Sequence, residues 1–397
     1  MKRVAIFRIL IVFLCGITAI GCTEQYILQT NTFEDALVVE ATITNEFQTQ
    51  KIKISRTYRF EDNAPTNEIG AAVYVTDDLG TQFDFEENNG MYTSTSPFKA
   101  EPGRTYRLNI TTAQGKTYNS TSEVLSPINE MQNVTASVKT KNGLRGVAIT
   151  ANSFDPSRSS QFYRYEYEET YKIKTPKWDA FKAILADDNP NDTIVLVPRD
   201  NTEIRTCYST DNSNDIIQTT TVDLSEDRVN FDLRFISDQN AIISHRYSIL
   251  VKQYVQNREA YTFYKAMKDL SGSGSILSQN QPGFFYGNIK SQDNPDEKVL
   301  GFFEVASVSS QRIFFNYEDL FPGEDLPPYF VDCDSKIYKF CFVSADPECR
   351  GNQLLSIVGA QSLLYFDLQG LYYYMVSPQC GDCTTFASNV IPPFWTE

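Results

Sequence analysis

Histidine is almost absent from this sequence, and with it much of the common catalytic machinery. His245 is the only histidine among 397 residues. Ser-His-Asp and Cys-His mechanisms would both need that single imidazole, and no nucleophile elbow accompanies it. The Gly/Ser stretch at 271–274 lacks the lysine and the spacing of a phosphate-binding loop. We therefore expect no catalytic residues, no bound cofactor and no enzymatic activity.

Basic residues are scarce as well. The chain has 35 Lys and Arg against 50 Asp and Glu, a net charge of −15. Residues 1–21 hold three of the positive charges and no acid, so a chain that lost them would carry about −18. Nucleic acid and anionic lipid surfaces would both be repelled by this charge. We expect no nucleic-acid partner.

The apolar stretch near the N-terminus is too short to cross a bilayer. Residues 9–20 would span about 18 Å as a helix, against a hydrocarbon core of about 30 Å. The basic residues Lys2, Arg3 and Arg8 precede this stretch. This order predicts a signal peptide over residues 1–21 and export from the cytoplasm.

The stretch ends in Ala19-Ile20-Gly21-Cys22, which resembles the bacterial lipobox, although Ala19 stands where leucine is usual. In that motif small residues give a signal peptidase access to the backbone, and the cysteine is diacylated. We expect a covalent lipid on Cys22 as the membrane anchor, followed by a lipidated tether over residues 22–32. The alternative is an ordinary secretory signal that leaves Cys22 as a spare thiol.

Eight cysteines are present, of which Cys15 falls in the signal peptide and Cys22 is the lipid site. The six candidate disulfide cysteines are Cys207, Cys333, Cys341, Cys349, Cys380 and Cys383. An even number in an oxidising compartment favours up to three disulfides, with fifteen possible pairings. Cys380 and Cys383 also have the spacing of half a zinc site or of a redox pair, which leaves two alternatives open.

Residues 33–125 alternate apolar and polar side chains in short runs, as half-buried strands do. Asn88-Asn89-Gly90 between two such runs predicts a tight hairpin, because Asn and Gly accept positive φ. About seven strands predict an immunoglobulin-like β-sandwich domain at 33–125, with a linker at 126–133 after it. The clearest runs are 37–43, 51–54, 72–76 and 105–110.

Residues 134–397 predict a larger β-rich domain with a disulfide-rich C-terminal region. In the strand predicted at 162–173, Tyr163, Tyr165 and Tyr167 share one face, and Arg164, Glu166 and Glu168 share the other. We expect the tyrosines in a core and the charged face in water. The alternative is a tyrosine row that binds a sugar or peptide. Further strands are predicted at 193–197, 205–209, 229–235 and 246–255.

One helix is predicted, with Asn257 as its N-cap and Ala260, Phe263, Tyr264 and Met267 along one stripe. The fold class is therefore mainly β with one or few short helices. Two acidic loops, at 187–192 and 293–297, offer oxygen ligands for calcium. They do not match an EF-hand, so we expect solvated turns and no metal.

Several pieces of the sequence recur in one known family. They are Tyr163-Arg164-Tyr165-Glu166-Tyr167-Glu168, Arg246-Tyr247-Ser248, Gln253-Tyr254, Glu259-Ala260-Tyr261 with Phe263, Gln281-Pro282, Gly287-Asn288-Ile289, Val299-Leu300-Gly301-Phe302-Phe303, Cys380-Gly381-Asp382-Cys383-Thr384 and Pro393-Phe394-Trp395. With these the chain resembles a Bacteroidetes lipoprotein family catalogued as a domain of unknown function, number 4249. Gly287 and Gly301 suit turns or close backbone approach.

The resemblance implies an outer-membrane lipoprotein, frequently encoded beside a TonB-dependent transporter, with an N-terminal sandwich and a larger β-rich domain. It implies no catalytic residues. We expect a lipid-anchored cell-surface subunit that partners a TonB-dependent outer-membrane barrel in nutrient uptake or in an outer-membrane assembly. The alternative is an independent surface lipoprotein that binds a glycan or peptide.

Overall fold

The computed structural model describes residues 35–57, 65–186, 194–199, 203–272, 286–341, 347, 349 and 351–397. Several predicted features lie outside the described residues: the signal peptide, Cys22 with its tether, the acidic loop at 187–192 and Gln281-Pro282. The described part of the chain is mainly β with few short helices, as predicted.

Twenty-three strands form in the described residues. They are β1 (Leu37–Thr44), β2 (Lys51–Arg56), β3 (Thr66–Asn67), β4 (Ala72–Asp77), β5 (Gln82–Asn88), β6 (Met91–Ser94), β7 (Thr105–Thr111), β8 (Thr117–Ser120), β9 (Glu123–Val124), β10 (Met131–Lys141), β11 (Leu144–Asp155), β12 (Phe162–Lys174), β13 (Phe181–Leu185), β14 (Ile194–Pro198), β15 (Thr206–Asn212), β16 (Ile217–Thr220), β17 (Asp227–Ser237), β18 (Arg246–Val255), β19 (Ile289–Ser291), β20 (Val299–Asn316), β21 (Lys336–Lys339), β22 (Leu364–Gln369) and β23 (Tyr372–Val376).

The α-helices of the described residues are α1 (Arg258–Gly272), α2 (Tyr317–Leu320), α3 (Gly351–Ala360) and α4 (Pro378–Gly381). Helix α1 is the predicted one, and the Asn257 side chain caps it by accepting a hydrogen bond from the Ala260 amide at 2.7 Å. Ala260 and Phe263 of its apolar stripe pack on Phe302. Helix α3 was not predicted, because the short apolar run at 354–358 cannot be told from a buried strand by periodicity alone.

The N-terminal β unit comprises β1 to β9, β19 and the first half of β20. Its strands follow the order β20-β1-β2-β6-β5-β4-β7-β8-β19, with β3 beside β2 and β9 beside β7. The predicted hairpin joins β5 to β6, with Asn89 and Gly90 at φ of 52° and 79°. Ile289, Val299, Phe303 and Val305 complete a core that is otherwise formed by residues 37–125.

Strand β20 belongs to two units at once. Its residues 299–306 run parallel to β1, and its residues 307–316 run antiparallel to β18. The units are therefore joined by backbone pairing along a continuous strand as well as by connecting loops. The immunoglobulin-like topology and the domain limits at 33–125 and 134–397 stay predictions.

The central sandwich packs the sheet β15-β12-β18-β20, with β16 beside β12, against the sheet β10-β11-β17. Tyr163 and Tyr165 are buried in its core, which confirms the expectation for the aromatic face of β12. The linker predicted at 126–133 is shorter than expected, because β10 already begins at Met131, and the connecting residues 126–130 are partly buried. Asn129 within it donates a hydrogen bond to the Tyr163 hydroxyl at 2.9 Å.

A smaller C-terminal unit combines the hairpin β13–β14, the sheet β21-β23-β22 and helix α3. Leu354 and Val358 are four residues apart on α3 and are both buried in the core of this unit, near Tyr338 and Met375. Of the helices in the described residues, none is long and apolar enough to cross a membrane.

Candidate functional site

His245 lies directly before β18, as predicted, and is partly buried. Burial, together with the nearby charges of Lys174 and Lys172, lowers the pKa of the imidazole from 6.5 to about 4. The ring is therefore neutral at pH 7. Its backbone carbonyl accepts a hydrogen bond from the Tyr317 amide at 3.2 Å, which ties the start of β18 to α2.

The six candidate cysteines form three disulfides, the largest number that the sequence allowed: Cys207–Cys383, Cys333–Cys380 and Cys341–Cys349. Cys380 and Cys383 each pair with a distant cysteine. The zinc and redox-pair alternatives for these two residues are therefore wrong, because both sulfurs are already bonded elsewhere. The two bridges fasten the C-terminal tail to β15 and to the loop before β21.

The acidic loop at 293–297 is hydrogen-bonded to strand β8. Asp293 accepts hydrogen bonds from the amide and the hydroxyl of Thr117 at 2.6 and 3.0 Å. Glu297 accepts one from the Tyr118 hydroxyl at 2.8 Å. The carboxylates thus hold the segment before β20 against β8. Residues 293–296 are exposed, as expected of a solvated turn. Within the described residues no group of three His, Cys, Asp or Glu side chains is placed to hold a metal ion.

The charged face of β12 departs from the expectation that it would lie in water. Arg164 has only 8% of its surface exposed, whereas Glu166 and Glu168 on the same face remain partly exposed. Helix α1 packs over the Arg164 end of the strand. Side-chain alternation assigns residues to a face, but it does not show that a helix from elsewhere in the chain covers part of that face.

A cleft of about 670 Å³ opens beside Arg164, where the N-terminal β unit meets the central sandwich. We name it the junction cleft. Its lining includes Thr42, Thr44, Gln50, Lys51, Lys53, Arg164, Glu166, Lys252, Tyr254, Tyr264 and Met267. Hydroxyl, amide and charged groups are thus combined with aromatic rings, a mixture that suits recognition of a polar ligand.

Arg164 is held at the junction cleft by both aromatic and acidic neighbours. Its guanidinium lies 4.2 Å from the ring centre of Tyr254 and 5.2 Å from that of Tyr264. It also pairs with Glu304 at 3.3 Å and with Glu166. Burial alone would lower the pKa of Arg164, but the charge of Glu304 holds it above its ordinary value, so the group stays cationic.

Glu304 joins the two units beneath the cleft and is itself buried. Its carboxylate accepts hydrogen bonds from Gln256 at 2.8 Å and from the Thr42 hydroxyl at 3.5 Å, besides its pairing with Arg164. Thr42 lies on β1, and Gln256 directly follows β18. Neither Glu304 nor Gln256 was predicted from the sequence. The available signal was a glutamate within the otherwise apolar run 299–306, since a buried carboxylate needs a partner.

Tyr264 adds a neutral hydroxyl to this lining. Burial, reinforced by the charge of Glu304, raises the pKa of Tyr264 to about 12. The hydroxyl therefore keeps its proton at neutral pH and can both donate and accept a hydrogen bond. Together these groups can bind a ligand rich in hydroxyl or amide groups.

The described residues define a mainly β, disulfide-bonded protein in which one long strand joins two β units. The chain belongs to the family described as Domain of unknown function (DUF4249), whose model matches residues 23–312. This match confirms the resemblance to domain of unknown function number 4249. Residues 313–397, with five of the six bridged cysteines, lie beyond the matched range.

No curated protein matches the chain. Among solved structures, a DUF4785 family protein from Legionella pneumophila is 9% identical, with 54% of this chain and 51% of that chain covered and a TM-score of 0.17. Trypsin-activated alpha-2-macroglobulin from Escherichia coli is 9% identical, with 57% and 15% covered and a TM-score of 0.18. The chain thus spans about half of the first protein and less of the second. These scores carry no argument about function.

Proposed function

We propose that this chain is a cell-surface outer-membrane lipoprotein that works, without catalysis, as a subunit of a TonB-dependent barrel complex. The complex would serve nutrient uptake or outer-membrane assembly. The observation that carries the proposal is Ala19-Ile20-Gly21-Cys22 at the end of a short apolar stretch, because a lipid on Cys22 would hold the folded body at a membrane. The choice of a barrel as partner rests on the family resemblance.

The distance between the lipid site and the folded body supports a membrane partner. Strand β1 begins at Leu37, fifteen residues after Cys22, so a fully extended connection would reach about 50 Å at most. An anchored body would stay in a thin layer next to the bilayer. Confinement of this kind raises the effective concentration of a membrane partner, so that a modest interface is sufficient.

Two measurements test the proposal. Cys22→Ala should move the protein from the membrane fraction to the soluble fraction, while the wild-type chain stays with the outer membrane. Purification of the tagged wild-type chain in mild detergent should recover a TonB-dependent barrel, identified by mass spectrometry. Membrane retention of the Cys22→Ala variant would contradict the lipid anchor, and a purified wild-type chain without any barrel would contradict the subunit role.

The junction cleft favours a second candidate, an independent lipoprotein that binds a glycan or peptide. Met267→Trp would fill the cleft from α1, and Leu270→Trp on the same helix lies outside the lining and is the matched control. For the best ligand found on glycan and peptide arrays, the first variant should lower the affinity roughly tenfold or more. The control should leave it unchanged. An unaltered affinity in Met267→Trp would show that the cleft is not the binding site.

A further inference from the structure

A partly exposed aromatic cluster lies where the loop before β21 crosses the end of the central sandwich. Phe330 and Phe386 have 38% and 39% of their surfaces exposed, and their ring centres are 5.7 Å apart. Phe330 also contacts Tyr329 at 5.3 Å and stacks on Tyr171 of β12 at 6.0 Å. We name this cluster, with the grooves beside it, the Phe330 surface. It presents ring faces and edges to solvent next to a packed core.

Two grooves share Pro328 and Tyr329 as a common wall, here called the Pro328-Tyr329 ridge. The larger, of about 710 Å³, is bounded by this ridge together with Lys177, Asp332 and Asp334. The smaller, of about 370 Å³, lies between the same ridge and residues 239–241. A ridge flanked by grooves suits an extended segment whose side chains enter both depressions.

The Phe330 surface carries an excess of negative charge. Asp332 and Asp334 are both exposed at the larger groove. Asp211, also exposed, accepts a hydrogen bond at 3.1 Å from the Tyr171 hydroxyl, beneath Phe330. Among the described residues that line this groove, Lys177 supplies the positive charge, and its ammonium lies 4.9 Å from the ring centre of Phe366. Such a surface attracts cationic groups and repels anionic ones.

The loop that carries Phe330 is held in place before any partner arrives. The Cys333–Cys380 disulfide fixes one end of it to α4. The Tyr329 hydroxyl donates a hydrogen bond to the Gln379 carbonyl at 3.1 Å. Because these restraints order the loop in the free protein, a partner would lose little binding energy in ordering it. Exposed aromatic rings on a restrained loop are typical of the centre of a protein interface, and charged groups beside them are typical of its rim.

We propose that the Phe330 surface docks the barrel partner, and that the docked segment carries Lys or Arg side chains beside apolar ones. The apolar side chains cover Phe330 and Phe386, and the cations face Asp332 and Asp334. This inference rests on the proposed barrel partnership and adds to it the docking face and the chemistry of the partner segment.

The test uses the full-length lipidated chain, tagged and purified from its own cells in mild detergent, with the amount of co-purified TonB-dependent barrel as readout. Phe330→Ala/Phe386→Ala removes the rings, and Asp332→Lys/Asp334→Lys reverses the charge without touching them. Val138→Ala/Leu144→Ala, on the exposed β10–β11 hairpin, is the control for the rings. Asp84→Lys/Glu86→Lys, on exposed positions of β5, is the control for the charge.

Both Phe330-surface variants should recover at least about tenfold less barrel than the wild type, and both controls should match the wild type. The charge-reversed variant keeps the rings. If the ring variant fails to fold, the barrel recovery of the charge-reversed variant still tests the docking face. Wild-type recovery from that variant overturns the docking face but leaves the barrel partnership intact. A wild-type chain that recovers no barrel overturns both. If the surface variants instead abolish recovery of a second, differently tagged copy, the surface serves self-association and the inference is wrong.

Discussion

Gly287 and Gly301 sit against one another where the segment before β19 crosses β20. A Cβ on Gly287 would lie 1.5 Å from the Gly301 carbonyl oxygen. A Cβ on Gly301, whose φ is +149°, would lie 2.2 Å from the Val39 carbonyl oxygen. Of the two roles expected for these glycines, a turn or close backbone approach, the structure has close approach, and only glycine fits at either position.

We predict that Gly287→Ala and Gly301→Ala each lower the free energy of unfolding by about 3 kcal/mol or more, since backbone atoms must move to admit the methyl group. Gly80→Ala is the control, because Gly80 also has positive φ, +83°, but nothing lies within 4 Å of its Cβ position. It should lose only about 1 kcal/mol. Urea denaturation of the three variants makes the comparison. Equal losses in Gly80→Ala and Gly287→Ala would contradict the steric explanation.

His245 gives the fold a defined dependence on pH. Its pKa is about 4 in the native state against 6.5 for the free side chain, so the unfolded chain binds more protons between these values. Stability should therefore fall as the pH drops from about 6.5 to 4, and it should not change further on this account below pH 4.

From pH 7 to pH 5 we expect a loss of about 1 to 2 kcal/mol from this residue. His245→Gln should remove that part of the pH dependence, since the remaining carboxylates titrate mainly below pH 5. Urea unfolding of both proteins at the two pH values provides the measurement. If His245→Gln keeps the whole difference between pH 7 and pH 5, another group is responsible.

The disulfides connect elements that are very differently spaced along the chain. Cys207–Cys383 closes a segment with a sequence separation of 176, and Cys341–Cys349 closes one of 8. In the chain-entropy account a bridge stabilises the fold by restricting the unfolded chain, and more so for longer loops. The Cys207–Cys383 bridge should therefore contribute more to the free energy of unfolding than the Cys341–Cys349 bridge.

We predict that Cys207→Ala/Cys383→Ala lowers the free energy of unfolding by about 4 to 5 kcal/mol, and Cys341→Ala/Cys349→Ala by about 2 to 3 kcal/mol. Denaturation without reductant compares the two double variants with the wild type. Equal losses, or a larger loss in the second variant, would show that loop closure does not dominate the stabilisation.

Strand β20 joins the N-terminal β unit to the central sandwich. Its first half completes the N-terminal core with Val299 and Phe303, and its second half pairs with β18 of the central sandwich. A fragment of residues 33–125 would lack this strand and would expose the side of β1 that pairs with it. An open edge and an incomplete core both disfavour independent folding.

We therefore predict that the fragment 33–125 shows no cooperative thermal transition by circular dichroism, whereas the unlipidated chain from residue 23 onward melts cooperatively. The physical reason is the loss of buried area contributed by residues 289–305. A sharp transition in the isolated fragment would establish the N-terminal stretch as an autonomous domain, and the pairing with β20 would then be dispensable for it.

Elements with a clear local period were predictable from the sequence. The strand predicted at 246–255 is β18 (Arg246–Val255), and the hairpin at Asn89-Gly90 and the cap at Asn257 are also found. In each case the signal lies within a few neighbouring residues: alternation along a strand, residues that accept positive φ, or a side chain that reaches the first turn.

The candidate site was only partly predictable. The sequence indicated Arg164 as part of a charged strand face, Tyr254 as part of a family motif and Tyr264 as part of a helix stripe. It did not indicate that the three residues line one cleft. What brings them together is Glu304, 140 residues beyond Arg164, and the crossing of α1 over β12. Local periodicity contains no information about which distant strand or helix covers a given face.

The sequence by itself determined the strand-rich character, the capped helix, two glycines suited to a turn or to close backbone approach, and an upper limit of three disulfides. These follow from side-chain size, conformational preference and the number of cysteines. Only the tertiary structure decided which cysteines pair, that Arg164 is buried, and that β20 is shared by two units. Those outcomes depend on contacts between residues far apart in the chain, where many pairings satisfy the local pattern equally well and packing selects one.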